Sequence, residues 1–420
     1  MHKILPIVPS IASAAALSAV AVLVLSGCSD SSQPAGDALN FSFAYPSNSN
    51  SPYAVLAQNY MDQHPNITIT LNPVPAESYD SLLRTQLQGG NASDVIMATP
   101  GSGTTVSLVS LAKAGLLAPL DANAGRNVSE SSRSLFYVDG EIVGQPIDIS
   151  VTGTIFNSAA GQAYPETTTD LAASCRSLSG QDKSFFALAG AIPINTGIAA
   201  VSMAATSVYA DTPDWDRQRA EGKTSFAGTA GWHRALQTFV DLKNNGCFQP
   251  GAEGSGFDAI PSGFGRGTAL AAFVPGGSAT ELQAGTPNAK LVVQPFPHPD
   301  GGSPFIFASS DFALAISNSS KQKEGAQAFL DWFGEPEQAS RYAELAGSLP
   351  VTGVEGKDLT DSPYAPVAEL LAEGKYTTMP VNVWGKPAVF DKLGSGVQGL
   401  LTGQKTVDGV LEELDRAWDE

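Results

Sequence analysis

Polar and apolar positions change period repeatedly along this chain, and each change marks a predicted element. The longest apolar run, Ile11 to Leu25, follows a single early cation, Lys3, and ends in small residues. That layout is a secretory signal peptide rather than part of a fold. From Leu39 short strands alternate with helical stretches. Leu39 to Ala44 predicts a strand and Pro46 to Ser51 a polar loop. Pro52 suits a first helical turn, Val55, Leu56, Asn59 and Tyr60 recur at helical spacing, and His64-Pro65 closes that helix. Ile67, Ile69 and Leu71 alternate as the next strand. Tyr79, Leu82, Leu83, Gln86 and Leu87 form a second helical stripe stopped at Gly89-Gly90, Asp94 to Ala98 a third strand, and Leu108, Leu111 and Ala112 a helix running to Gly115. Such alternation predicts right-handed crossovers and a largely parallel sheet covered on both faces. Ligands of such sheets bind beyond the carboxyl ends of the strands, here the loops Pro46 to Ser51 and Thr99 to Thr105.

The pattern is less regular afterwards. Ile142 to Asn157 is a near-continuous extended apolar segment, followed by helical stretches Leu171 to Leu178 and Ile198 to Tyr209 and a Pro/Asp/Gly-rich loop, Asp211 to Ser225. Thr229 predicts the N-cap of a helix carrying Trp232, Leu236, Phe239, Val240 and Lys243 and ending at Gly246. Strands are predicted at Ala269 to Val274, Leu291 to Gln294 and Phe312 to Ile316. Ser320 heads a helix with Ala326, Phe329, Leu330 and Phe333 on one face, Pro336 opens another to Ala346, and Thr406 caps a last one striped by Val407, Val410, Leu411, Leu414 and Trp418.

Composition narrows the function. A chain of 420 residues with 43% hydrophobic content is long for one core and suits two domains. Its net charge of -18, more negative still without Lys3, disfavours nucleic acid or anionic lipid as partner, since both call for basic patches. Acidity over the whole chain keeps an exported protein soluble and does not by itself indicate a cationic ligand. Beyond the leader only His64, His233 and His298 remain, none at metal-ligand spacing from another, and neither a Gly-x-Ser-x-Gly elbow nor His-Glu-x-x-His occurs. Gly222-Lys223-Thr224 imitates the end of a phosphate loop, but Arg217 stands where its first glycine belongs. Gly263, Gly265 and Gly267 miss dinucleotide spacing and read as a bend before a strand.

Leu25-Ser26-Gly27-Cys28, closing the apolar run, resembles the bacterial lipoprotein signal. The resemblance implies that residues 1–27 are removed, that Cys28 is acylated, for instance with palmitate, and that residues 28–38 form a flexible tether. Two cysteines then remain, Cys175 and Cys247, and export places them where disulfides persist. They are predicted to pair; two separate buried thiols are the other reading.

Seven blocks further resemble, in order, the extracellular solute-binding proteins of the maltodextrin-binding type, receptors of carbohydrate importers. They are Gln63 to Ile67; Leu87 to Gly90 before Ser93 to Val95; Leu111 to Leu117 before Pro119 to Asp121; and Gly144 to Pro146 before Ile155 to Asn157. Gly265 to Leu270, Ala328 to Trp332 with Gly347 to Pro350, and Thr402-Gly403 to Leu414-Asp415 complete the set. The resemblance implies a periplasmic-binding-protein-like fold of two α/β lobes joined by a hinge of three crossings, near Gln145 to Ser150, Pro297 to Pro304 and Pro350 to Gly356. Residues 39–149 and 302–352 would form the N-terminal lobe, residues 150–301 and 353–420 the C-terminal lobe.

A cleft for a polyol needs planar hydrogen-bonding groups for hydroxyls and aromatic faces for the ring. Asn48 and Asn50 lie in the first strand-end loop and Ser102 in the next, where the resemblance implies polar sugar contacts and where turn chemistry is the other reading. Asp148 and Ser150 lie on the first crossing; Ser150 takes the place where the family often has an acidic sugar ligand, and Asp148 is the substitute. Asn195 and Thr196 sit where the second lobe should face the cleft. Ser278 follows Gly276-Gly277 where many relatives carry Gly-Ser-Trp, so a broad platform for long oligosaccharides is missing. Asp311 either bonds a hydroxyl or starts a strand. Trp384, among Pro380, Asn382, Gly385 and Pro387 with no helical stripe to bury it, is expected to stack on ligand. Trp232, Trp332 and Trp418 are expected in cores and Trp215 at the rim.

The expected protein is a monomeric, exported receptor, lipid-anchored to the cell membrane and facing outside the cytoplasm, with no catalytic residue, metal or cofactor. It would capture a carbohydrate-like small solute and hand it to an ABC permease. A lipid-anchored surface glycosidase and a non-binding envelope lipoprotein are the readings from other classes; turnover would mark the first, absence of ligand-dependent stabilisation the second.

Overall fold

Parallel pairing starts with the first strand. In the computed structural model, which describes residues 39–46, 51–353 and 358–420, β1 (Leu39–Pro46) runs beside β2 (Ile67–Val74) over its whole length and pairs on its other edge with β3 (Val95–Ala98). Helices Pro52–Gln63 and Ala76–Gly89 make the two crossovers. Cys28, the leader, the tether, and Asn48 and Asn50 lie outside the described residues. After a short hairpin of β4 (Tyr137–Val138) and β5 (Glu141–Ile142), the extended apolar segment breaks into β6 (Gln145–Pro146), β7 (Asp148–Thr152) and β8 (Thr154–Asn157). The break has a purpose, because each of the three joins a different sheet.

β9 (Ser184–Ala187), β10 (Ala269–Ala272) and β11 (Leu291–Gln294) build a mixed sheet with β8, in the order β11-β8-β10-β9. β12 (Ile306–Ser309) then lies antiparallel to β7, and β13 (Ala313–Ile316) lies antiparallel to both β3 and β6, so the first sheet has the order β2-β1-β3-β13-β6. The expectation of a largely parallel sheet therefore holds for its first three strands and fails for the returning ones. β14 (Leu349–Pro350) and β15 (Tyr376–Thr377) complete a third sheet, β14-β7-β12-β15. One large core gathers Phe43, Tyr53, Ile96, Leu314 and Phe329, the other Phe186, Trp232, Phe239, Phe273 and Leu411. The chain passes from Ile147 in the first core to Phe156 in the second along β7, and returns from Phe307 to Ala313 past the end of β12. This passage lies beyond Pro297 to Pro304, because Phe305 to Ala308 carry the buried apolar run that a paired strand needs.

Helices with strong local signals fall where expected. Pro52 and Pro336 open theirs, Gly347 (φ 68°) ends Pro336–Ala346 in the left-handed region, and the Thr406 hydroxyl accepts the Gly409 N–H at 3.2 Å. Three helices stand where none is expected: Trp215–Ala220 inside the expected loop, Ala259–Arg266 where a glycine bend is expected, and Pro387–Thr402, although Pro387 and the left-handed Gly403 (φ 77°) are the same local signals. The last holds Gly394, Gly396 and Gly399, each costing roughly 0.5–1 kcal/mol of helix propensity relative to Ala. Packing explains them. A Cβ on Gly394 would stand 2.1 Å from the Pro193 carbonyl oxygen, and one on Gly396 2.6 Å from Val410 Cγ1, so bare backbone lets this helix nest against Pro193–Ala204 and Val407–Asp419. Cys175 and Cys247, both fully buried, are disulfide-bonded as expected. Among the described residues no helix is long and apolar enough to cross a membrane.

Candidate functional site

The carboxyl end of β3, the strands β7 and β12, and the starts of two helices enclose a cavity of about 340 Å³. Thr99, Gly103, Thr104 and Ser107 come from the loop after β3; Ser150 and Thr152 from β7; Ser309 and Asp311 from the end of β12 and the link to β13. Pro193, Ile194 and Ile198 face it from the second core's side, with Met379, Val381, Asn382, Phe390 and Asp391. A larger, more open groove of about 610 Å³, bordered by His233, Arg234, Lys405 and Asp408, lies on the outer surface of the helices Ala230–Asn244 and Val407–Asp419. It touches no strand end, and a parallel-stranded fold puts its ligands at strand ends. The smaller cavity is the candidate site.

Of the residues proposed from sequence, Ser150 and Asp311 line this cavity. Ser150 is 8% exposed and its hydroxyl has no partner among the described residues; β12 holds it opposite Ser309. Asp148, one pleat behind, is buried, and its Oδ1 accepts the backbone N–H groups of Asp311 at 3.1 Å and Phe312 at 3.4 Å. It ties β7 to the β12–β13 link rather than pointing at a ligand. Burial, followed by the adjacent Asp311 carboxylate, pushes the Asp148 carboxyl up to about 8, and burial pushes Asp311 up to about 6. Two desolvated carboxyls side by side hold protons that exposed ones would release.

The other candidates lie elsewhere. Asn195 and Thr196 are fully buried: the Asn195 amide accepts the Ala189 N–H at 2.9 Å and donates to the Phe273 carbonyl at 2.7 Å, and the Thr196 hydroxyl donates to the Pro193 and Gly394 carbonyls. They fasten the helix whose exposed first turn, Pro193 and Ile194, faces the cavity. Ser278 begins the helix Ser278–Gly285, away from the lining. Ser102 takes part through its backbone, its N–H donating to the Asn382 carbonyl at 3.0 Å.

Trp384 corrects the stacking expectation. It is 1% exposed, boxed by Phe226, Trp232 and Trp418 at centroid distances of 5.5, 6.1 and 6.3 Å, and its indole N–H donates to Asp216 at 2.8 Å. Trp215 likewise lies in the second core at 2% exposure instead of at a rim, its N–H donating to Thr229. Phe226 and Trp232 need a flat, large partner there, and local sequence around Trp384 does not reveal them.

Residues that sequence reasoning missed include Thr99, Thr104, Thr152, Ser309, Asp80, Phe390 and Asp391. The loop after β3 is expected from its place at a strand end to line the cavity, as it does, but which of its side chains turn inward depends on packing. Asn382 lies beside Trp384 in the same proline-rich stretch. The loop and that stretch meet closely: a Cβ on Gly101 would stand 1.9 Å from the Asn382 carbonyl oxygen, and one on Gly103 1.8 Å from that of Val381. Chemically, the cavity offers hydroxyls, a carboxamide and carboxylates, and among the described residues no histidine, cysteine, lysine or arginine lines it.

The sequence profile described as bacterial extracellular solute-binding protein matches residues 45–340. A protein of Brucella abortus (strain 2308), named only as a binding protein, is 23% identical over 370 residues, 84% of this chain and 85% of its own. Among solved structures, RafE in complex with raffinose superposes with a TM-score of 0.73 at 19% identity, over 91% of this chain and 99% of its own. The GacH receptor of Streptomyces glaucescens, solved unliganded and with acarbose, gives 0.73 at 17% identity, over 90% and 97%. Likeness of this extent shows the fold: α/β, periplasmic-binding-protein-like, in two lobes.

Proposed function

We propose that this chain, which belongs to the bacterial extracellular solute-binding proteins, captures a sugar or sugar-like small solute between its two lobes and delivers it to an ABC permease. The family is one of binding proteins, not enzymes. The observation that carries the reading is the cavity itself: it lies between the two cores, at strand ends, with hydroxyl and carboxamide groups of Ser150 and Asn382 facing inward. Structural relatives solved with raffinose and with acarbose support a carbohydrate-like ligand. The N-terminal lobe is taken as residues 39–149 with the chain from β13 through β14, the C-terminal lobe as the rest of residues 150–420. β7, β12 and β14, hydrogen-bonded side by side, serve as the hinge crossings. In this reading Cys28 carries lipid, and the tether to residue 38 keeps the receptor near its permease at high local concentration. Cys28→Ala is expected to move the protein out of the membrane fraction while leaving binding in solution intact.

The test is the melting temperature of the mature protein against sugars, polyols, peptides and oligoamines. A true ligand at 100 times its Kd adds about 2.7 kcal/mol of stability. Absence of a shift with every class would overturn the receptor reading.

A further inference from the structure

We infer that the cavity selects a solute bearing a protonated amine beside its hydroxyls, an amino sugar or aminocyclitol of one or two rings, in preference to neutral or acidic sugars. The inference rests on the receptor reading above and adds to it the charge class and size of the ligand.

Size comes first. At about 340 Å³ the cavity sits near the lower end of the roughly 300–1,000 Å³ typical of small-molecule sites, which leaves no room for a long chain. Charge comes next. Three elements each bring one carboxylate to the cavity: Asp80 from the helix Ala76–Gly89, Asp311 from the β12–β13 link and Asp391 from the helix Pro387–Thr402. Among the described residues none of the three is in an ion pair and no cationic side chain lines the space. Behind Asp311 stands the buried Asp148, which burial holds protonated near neutral pH, so the negative charge of the floor rests on Asp311. The third observation is independent of charge. Ser150 and Asn382 are 8% and 7% exposed, both line the cavity, and neither side chain has a hydrogen-bond partner among the described residues. Both open their polar atoms into the cavity, where ligand hydroxyls can take the hydrogen bonds that no side chain supplies. An ammonium near Asp311 would supply the missing counterion, and hydroxyls would engage Ser150 and Asn382. A carboxylate or phosphate would meet only like charge.

Calorimetric titration of the mature protein tests this with matched probes: glucosamine, galactosamine and mannosamine, and the fully deacetylated chitosan disaccharide. Each is compared with its neutral parent, glucose, galactose, mannose or cellobiose, and glucuronate serves as the acidic arm. A charge-assisted contact predicts roughly ten- to hundredfold tighter binding of at least one amine than of its parent, with no binding of glucuronate. Asp311→Asn should lower that preference to about threefold or less while the melting curve stays cooperative. Asp391→Asn, at the exposed rim, should lower it less. Neutral parents binding as tightly as amines would overturn the charge inference and leave the receptor reading standing. Failure of every amine to bind would overturn this inference, whereas the receptor reading falls only if no class in the melting screen stabilises the protein.

Discussion

The approach of two backbones across the cavity makes Gly103 the most informative single position. A methyl added there would lie 1.8 Å from the Val381 carbonyl oxygen and 2.9 Å from its carbon. Ordinary contact needs about 3.4 Å or more, so Gly103→Ala must push the loop after β3 and the Pro380–Val383 segment apart by roughly 1.5 Å. Separation also breaks the Ser102 N–H bond to the Asn382 carbonyl, now 3.0 Å. Lost hydrogen bonding contributes about 0.5–1.5 kcal/mol and overpacking about 1–3 kcal/mol. If these contacts exist only in the closed receptor, ligand binding alone bears the cost. Together they weaken binding by about 1.5–4.5 kcal/mol, roughly 10- to 1,600-fold in Kd. The ligand-free protein should melt within about 1 °C of the parent. Titration calorimetry gives the affinity, and small-angle scattering shows whether saturating ligand still compacts the protein. Gly254→Ala is the control, because a Cβ there has no neighbour within 4 Å. Undiminished affinity and compaction in Gly103→Ala would refute the idea that the loop closes against this segment.

Three further outcomes follow from the geometry. Asp148 and Asp311 both titrate above the ordinary carboxylate range when folded, at about 8 and about 6, so the folded state binds protons more tightly than the unfolded chain. Their contribution is present at about pH 4 and lost as pH rises through those values; Asp148→Asn should therefore gain in melting temperature over the parent as pH rises from 4 to 8, and parallel curves would refute this. Trp384→Ala should cost about 3–5 kcal/mol in chemical denaturation with ligand affinity changed less than about threefold; a stable variant that no longer binds would return Trp384 to the cleft. Reducing the Cys175–Cys247 bond, which closes a 72-residue separation, should lower unfolding free energy by about 4 kcal/mol on loop-closure entropy, and an unchanged denaturation midpoint would show that this constraint does not stabilise the fold.

Sequence alone determined those features whose causes are local. Pro52 and Pro336 start helices because their missing N–H groups cost nothing in a first turn, Gly90 and Gly347 end helices because they accept positive φ, and alternating Ile67, Ile69 and Leu71 could pair only as a strand. The blocks of family resemblance rest on the same punctuation, and so did the prediction that ligand sits beyond β3. What only the tertiary structure decided depends on partners far away in the chain. Pro387–Thr402 has poor helix propensity, and its glycines make sense only once Pro193 and Val410 press against them. Trp384 looks exposed among prolines and glycines until Phe226, Trp232 and Trp418 close around it. Within the ligand loop, Ser102 and Thr104 are equivalent by sequence, and the docking of that loop onto Val381 and Asn382 turns one toward the cavity and uses the other's backbone as a strut. Periodicity reports whether a position is apolar or polar along its own element; which face meets which is set by packing between elements, where a single Cβ can forbid or permit the contact.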